Sequence, residues 1–101
     1  MGLFIFSMKL SIIGVGAMGG AMLDGFLQSG KFQASDLYIS NPHTERLAAY
    51  AEQGVKVSSD NRTAAVWGDI VFVVVKPWLV ESVMEEISDV LDAERQTVVV
   101  V

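Results

Sequence analysis

The stretch SIIGVGAMGGAML, residues 11–23, constrains the fold more than any other part of the chain. An apolar β-like run ends at Ile13, and a helical repeat of Met18, Met22 and Phe26 with Leu23 and Leu27 begins near Ala17 and stops at Gly30. Gly14, Gly16 and Gly19 stand between them in the spacing G-x-G-x-x-G. Alone that spacing is a weak signal, because glycine-rich turns are common. Its context is the specific part. A strand precedes it, a helix follows it, and a second strand ends about twenty residues further on, as the dinucleotide fingerprint requires. In that reading Gly14 makes the tight turn, Gly16 lets the backbone approach a pyrophosphate, and Gly19 lets helix and strand pack closely. The helix N-terminus offers free N–H groups and a positive dipole end to the anion. The competing reading is a structural turn with no ligand. The side chains of Met18 and Met22 read as core, with Met18 early enough in the helix for its backbone to face the phosphates.

Strand-like and helix-like segments alternate through the rest of the chain. Strands are expected over 9–13, 36–40, 55–57, 70–75 and 97–101. Asn41 and Pro42 suit the cap and first turn of a helix carrying Leu47, Ala48 and Ala51, which Gly54 closes. Residues 61–67 read as a short helix, and Pro77 opens another through Val80, Val83, Met84 and Ile87. The unbroken run IVFVVV suits a strand covered on both faces of a parallel sheet. The expected fold is therefore α/β: a doubly wound, mainly parallel sheet of Rossmann type in three αβα layers. Residues 8–101 form the expected dinucleotide-binding domain, and 1–7 an extension or extra edge segment. Ending on TVVVV, the chain reads as the amino-terminal part of a longer protein.

Composition narrows the function classes. With 101 residues, 51% of them hydrophobic, the chain suits one compact domain. It has no cysteine, and its only histidine is His43, so no thiolate site or histidine-cluster metal site can form. The formal charge of −5 without a basic stripe disfavours nucleic acid as a partner. No apolar run reaches membrane-spanning length, and the N-terminal segment lacks the basic start of an export signal. A cytoplasmic protein is the simplest expectation.

The end of the second strand bears on which dinucleotide is bound. An NAD site there usually carries an acid for the ribose hydroxyls, whereas this chain has Ser40 and Asn41. Free N–H groups of His43 and Thr44, hydroxyls of Ser40 and Thr44, and Arg46 are suitable donors to a 2′-phosphate. NADP(H) is favoured, with NAD(H) as the alternative. The bland reading is that Asn41 caps a helix and Arg46 pairs with Glu45 or Glu52.

GVGAMGGAML, SNPHTERL, GVKVSSDN and DIVFVVVKPW, in this order, resemble the amino-terminal domain of pyrroline-5-carboxylate reductases over almost all of 8–101. The specific elements are Asn61 and the V-K-P of Val75, Lys76 and Pro77. The resemblance implies hydride transfer from NADPH to 1-pyrroline-5-carboxylate, giving L-proline. It implies pyrophosphate binding by Gly14, Gly16, Ala17, Met18 and Gly19, and ribose and 2′-phosphate contacts at Ser40 and Asn41. It also implies an adenosine contact at Asn61 and a nicotinamide wall of Val74, Val75, Lys76 and Pro77. Substrate contacts, the proton donor and homo-oligomer formation are implied for a helical second domain that this chain does not contain. Lys76 reads as a cofactor neighbour rather than an acid catalyst, Trp78 as a residue at the pocket edge, and the carboxylates of 81–94 as a solvated face. Alternatives are another NADP-linked oxidoreductase, of the β-hydroxyacid dehydrogenase or F420-dependent NADP reductase type, or a non-catalytic dinucleotide sensor.

Overall fold

The computed structural model describes residues 8–14 and 16–101, so the 1–7 segment lies outside the described residues. Five strands, β1 (Leu10–Ile13), β2 (Leu37–Ser40), β3 (Lys56–Ser58), β4 (Ile70–Val73) and β5 (Thr97–Val100), form one sheet in the order β3-β2-β1-β4-β5. Every pairing is parallel. The helices are α1 (Ala17–Gln28), α2 (Ala48–Glu52), α3 (Asn61–Trp67) and α4 (Val80–Ile87).

The period-2 alternation of the strands divides the apolar residues between two faces. Leu10 and Ile12 of β1, with Leu37 and Ile39 of β2, pack with Leu23, Leu47 and Val55 on the α1–α2 side. Ile13, Tyr38, Val71 and Val73 pack with Ala64, Ala65, Val83 and Ile87 on the α3–α4 side. The sheet is thus covered on both faces, which is the doubly wound, three-layer arrangement expected. Ser11 faces α3 and satisfies its buried hydroxyl by donating to the Ala64 carbonyl at 2.6 Å.

Element ends differ from the expected ones for local reasons. β4 stops at Val73, although Val74 still donates to the Ile13 carbonyl at 2.9 Å. Beyond that bond the chain turns away at Gly14 and the ladder has no partner left. The helix expected from Pro42 begins instead as a 3₁₀ turn at Thr44–Leu47, which continues into α2. Asn41 Oδ1 accepts the His43 N–H at 2.8 Å, a cap-like bond made before any helical turn has formed. Pro77–Leu79 is likewise a 3₁₀ turn that leads into α4. At the sheet edge, β5 leaves Val99 and Val100 exposed.

Candidate functional site

Strand order reverses between β1 and β4: the chain builds outward through β2 and β3, then returns to the other side of β1. In open α/β sheets such a switch point leaves a crevice beyond the carboxyl ends of the strands. Here a crevice of about 730 Å³ lies there, bordered by the glycine turn, the segment after β2 and the segment after β4.

The three motif glycines meet different surroundings. Gly14 has φ +87°, and a Cβ there would lie 2.5 Å from Val75 Cγ1 and 2.6 Å from the Val74 carbonyl oxygen. At Gly19 a Cβ would lie 2.8 Å from the Gly14 carbonyl oxygen. Both glycines are therefore required by the packing of the chain itself. Around Gly16 a Cβ would meet nothing within 4 Å among the described residues, and its φ of −104° is open to any residue. The surroundings of Gly16 thus face the crevice, and α1 starts directly after it. The N-terminus of α1 has no side-chain cap and no acid in its first turn. Its first N–H groups lack earlier helical carbonyls, so an anion in the crevice is the natural acceptor for them.

Two banks border the glycine turn. On the β2 side are Asn41, Pro42, His43 and Arg46; on the β4 side are Val74, Val75, Lys76, Pro77 and Leu79. His43 lies 3.6 Å from Glu45, whereas neither Arg46 nor Lys76 has an ion-pair partner among the described residues. Arg46 therefore does not take the Glu45 or Glu52 partner of the bland reading. Arg46 and Lys76 thus bring one cationic side chain to each bank of the crevice in a chain that is acidic overall.

Residues 9–101 match the family described as NADP oxidoreductase coenzyme F420-dependent. The chain belongs to this family. It is 32% identical over 91 residues to pyrroline-5-carboxylate reductase 3 of Danio rerio, covering 90% of this chain and 32% of that protein. A pyrroline-5-carboxylate reductase structure from Coxiella burnetii has a TM-score of 0.87 at 26% identity, covering 95% of this chain and 36% of that one. An imine reductase from Myxococcus stipitatus in complex with NADP+ has a TM-score of 0.77 at 25% identity, covering 92% and 31%. The chain thus spans about a third of the length of the relatives it matches. The resemblance to pyrroline-5-carboxylate reductases is borne out.

In this member of the family, Gly14, Gly16, Ala17, Met18, Gly19, Asn41, Val74, Val75, Lys76 and Pro77 all line the crevice. Ser40 and Asn61 do not. Ser40 is fully buried and its hydroxyl donates to Asn61 Oδ1 at 2.5 Å. The Met18 side chain, read as core, is instead 58% exposed, and Met18 stands at the crevice where the resemblance puts its backbone, while Met22 packs against the core as expected. The His43 N–H, expected free, is held by Asn41. Trp78 is 75% exposed and outside the lining. Trp67 packs on the α3–α4 core and carries Lys9 and Lys56 Nζ at 5.4 and 5.7 Å from its ring. Leu79 and Val101 are lining residues that sequence reasoning missed. Val101 was within reach of it: β5 pairs with β4, and Val101 donates to the Val73 carbonyl at the strand end nearest the crevice.

Proposed function

We propose that this chain is the dinucleotide-binding part of an NADP(H)-dependent pyrroline-5-carboxylate reductase. The observation that carries the reading is Gly16: no packing among the described residues and no backbone angle φ demands a glycine there, and it stands at a helix N-terminus without a side-chain cap on an open crevice. A pyrophosphate needs that bare backbone and those free N–H groups. The names of the relatives supply the rest, since reductases of pyrroline-5-carboxylate and of imines share this domain.

In this reading the first turn of α1 with Gly14, Gly16, Ala17, Met18 and Gly19 holds the pyrophosphate. Arg46, with Asn41, takes the 2′-phosphate as a charge-assisted donor. Ser40 and Asn61 support that end of the crevice, with Asn61 nearest the adenosine. Val74, Val75 and Pro77 form an apolar wall that keeps water from the nicotinamide, and Lys76 adds positive charge beside it. When bound, NADPH supplies a hydride to the C=N carbon of 1-pyrroline-5-carboxylate, and the ring nitrogen takes a proton, giving L-proline. The proton donor and the substrate contacts belong to the part of the enzyme that corresponds to the other two-thirds of its relatives. The proposal includes a cytoplasmic setting, with which the cysteine-free sequence agrees, and homo-oligomer formation, which rests on the family resemblance alone. No helix among the described residues is long and apolar enough to cross a membrane.

Calorimetric titration with NADPH and NADH tests the cofactor half of the proposal. Tighter NADPH binding supports both the cradle and the phosphate site; equal binding removes the NADP preference; no binding by the full-length protein overturns the reading. A second reading, hydride exchange with coenzyme F420, is favoured by the family's description. Turnover of F420 without turnover of pyrroline-5-carboxylate by the full-length enzyme would establish it instead.

A further inference from the structure

Ser40 joins the two banks of the crevice. Its backbone carbonyl accepts the Gly14 N–H at 2.8 Å, tying the end of β2 to the first residue of the glycine turn. Its buried hydroxyl needs a partner and finds Asn61 Oδ1 at 2.5 Å. A carboxamide is nearly symmetric in shape, so nothing in the Ser40 contact alone decides which end of Asn61 faces the hydroxyl. The decision comes from α4. Asn61 Nδ2 donates to Glu86 Oε1 at 2.9 Å, and a carboxylate only accepts, so it tolerates one orientation of the amide. The backbone at Glu86 is itself tied to α3. Arg62 Nη1 donates to the Glu86 backbone carbonyl at 2.9 Å and to Asp89 Oδ1, and Nη2 donates to Asp89 Oδ2.

We propose that Glu86 is a positioning residue for the crevice: by fixing the Asn61 amide it keeps the Ser40 hydroxyl donating and the Ser40–Gly14 seam closed. Glu86 is exposed and is not among the residues lining the crevice, so it acts entirely through Asn61 and Ser40. The seam exists whatever the crevice binds; that its purpose is cofactor placement rests on the function proposed above.

Amide hydrogen exchange followed by NMR tests the relay without any cofactor. In E86A, exchange at the Gly14 N–H is expected to speed up by roughly fivefold, the effect of losing one net hydrogen bond, while the amides of Ile12 and Val71 in the core keep their wild-type rates. N61A should show the same acceleration, and E86A/N61A no more than N61A alone, because both changes cut one chain of contacts. E86Q keeps an acceptor at the same reach but can also donate to a flipped Asn61 amide, so exchange at Gly14 should be slower than in E86A yet faster than in wild type, and E85A on the same helix serves as control. A wild-type rate at Gly14 in E86A, an additive double variant, or equal acceleration throughout the core overturns the proposal. NADPH titration of wild type and E86A then reads the purpose: affinity lower by roughly fivefold in E86A supports it. Unchanged affinity overturns the positioning role. Absence of NADPH binding by the wild type counts against the proposed function, while the exchange rates still decide what Glu86 does.

Discussion

Gly14 and Gly16 share a motif but answer to different partners, and substitution separates them. Gly14→Ala puts a Cβ into Val75 and the Val74 carbonyl at a positive φ, so it is expected to cost about 2–4 kcal/mol in urea unfolding. Gly16→Ala meets no atom within 4 Å among the described residues, so its unfolding midpoint should stay close to wild type while NADPH affinity falls by roughly tenfold or more. Loss of stability in G16A, with binding kept, would make this glycine a packing requirement. Arg46→Ala probes the phosphate bank. Removing one charge-assisted donor should weaken NADPH by about tenfold or more and leave NADH little changed, since only NADPH carries the 2′-phosphate. The ten lining residues among the expected site residues were legible because each sits in a motif whose backbone course is fixed: a glycine turn or a strand end. The contacts of Ser40 and Asn61 were not, because they depend on where α3 and α4 settle across the sheet, which no local pattern encodes.

At the scale of elements, α3 has only seven residues, too few to be stable on its own, so contacts at its two ends matter. Asp60 caps its start by accepting from the Arg62 N–H at 3.0 Å and from Thr63 Oγ1 at 2.7 Å. Gln96, buried just before β5, donates to the Ala65 and Gly68 carbonyls at 2.6 Å and accepts the Asp92 N–H at 2.9 Å. Gln96→Ala strands those carbonyls and should cost about 2–3 kcal/mol in chemical unfolding. The hydrogen bonds from Thr63 and the Arg62 N–H lower the Asp60 pKa, and the Arg62 guanidinium hydrogen bond lowers that of Asp89. Because both folded values lie below the unfolded ones, their stabilisation is complete above the ordinary carboxylate range, about pH 4, and is lost as pH falls through the folded values. Thermal midpoints should therefore drop on acidification below about pH 4, and less steeply in D89N than in wild type. An identical acid limb in D89N would assign the drop to other carboxylates. Strand and helix identities were legible from period-2 and helical spacing, whereas the 3₁₀ starts of the second and fourth helical segments were not. At the former, the departure comes from one side chain, Asn41, taking a backbone donor that the helix pattern counts as its own.

For the whole molecule, the topology gathers cofactor-binding geometry at one end of a single sheet, and nothing on these residues reaches across to hold a substrate. Hydride transfer needs the acceptor carbon held beside the nicotinamide in a near-attack arrangement, and that positioning accounts for about 7–11 kcal/mol of barrier reduction. A crevice that binds only the donor leaves the reaction bimolecular. The chain described here is therefore expected to bind NADPH yet show no proline formation above background when mixed with pyrroline-5-carboxylate, while the full-length enzyme turns it over. Coupled absorbance loss of NADPH and chromatographic detection of proline check this directly. Proline formation by residues 1–101 alone would mean that the groups around Lys76 and Leu79 hold substrate themselves, and the catalytic assignment would fall to the β4 bank of this crevice.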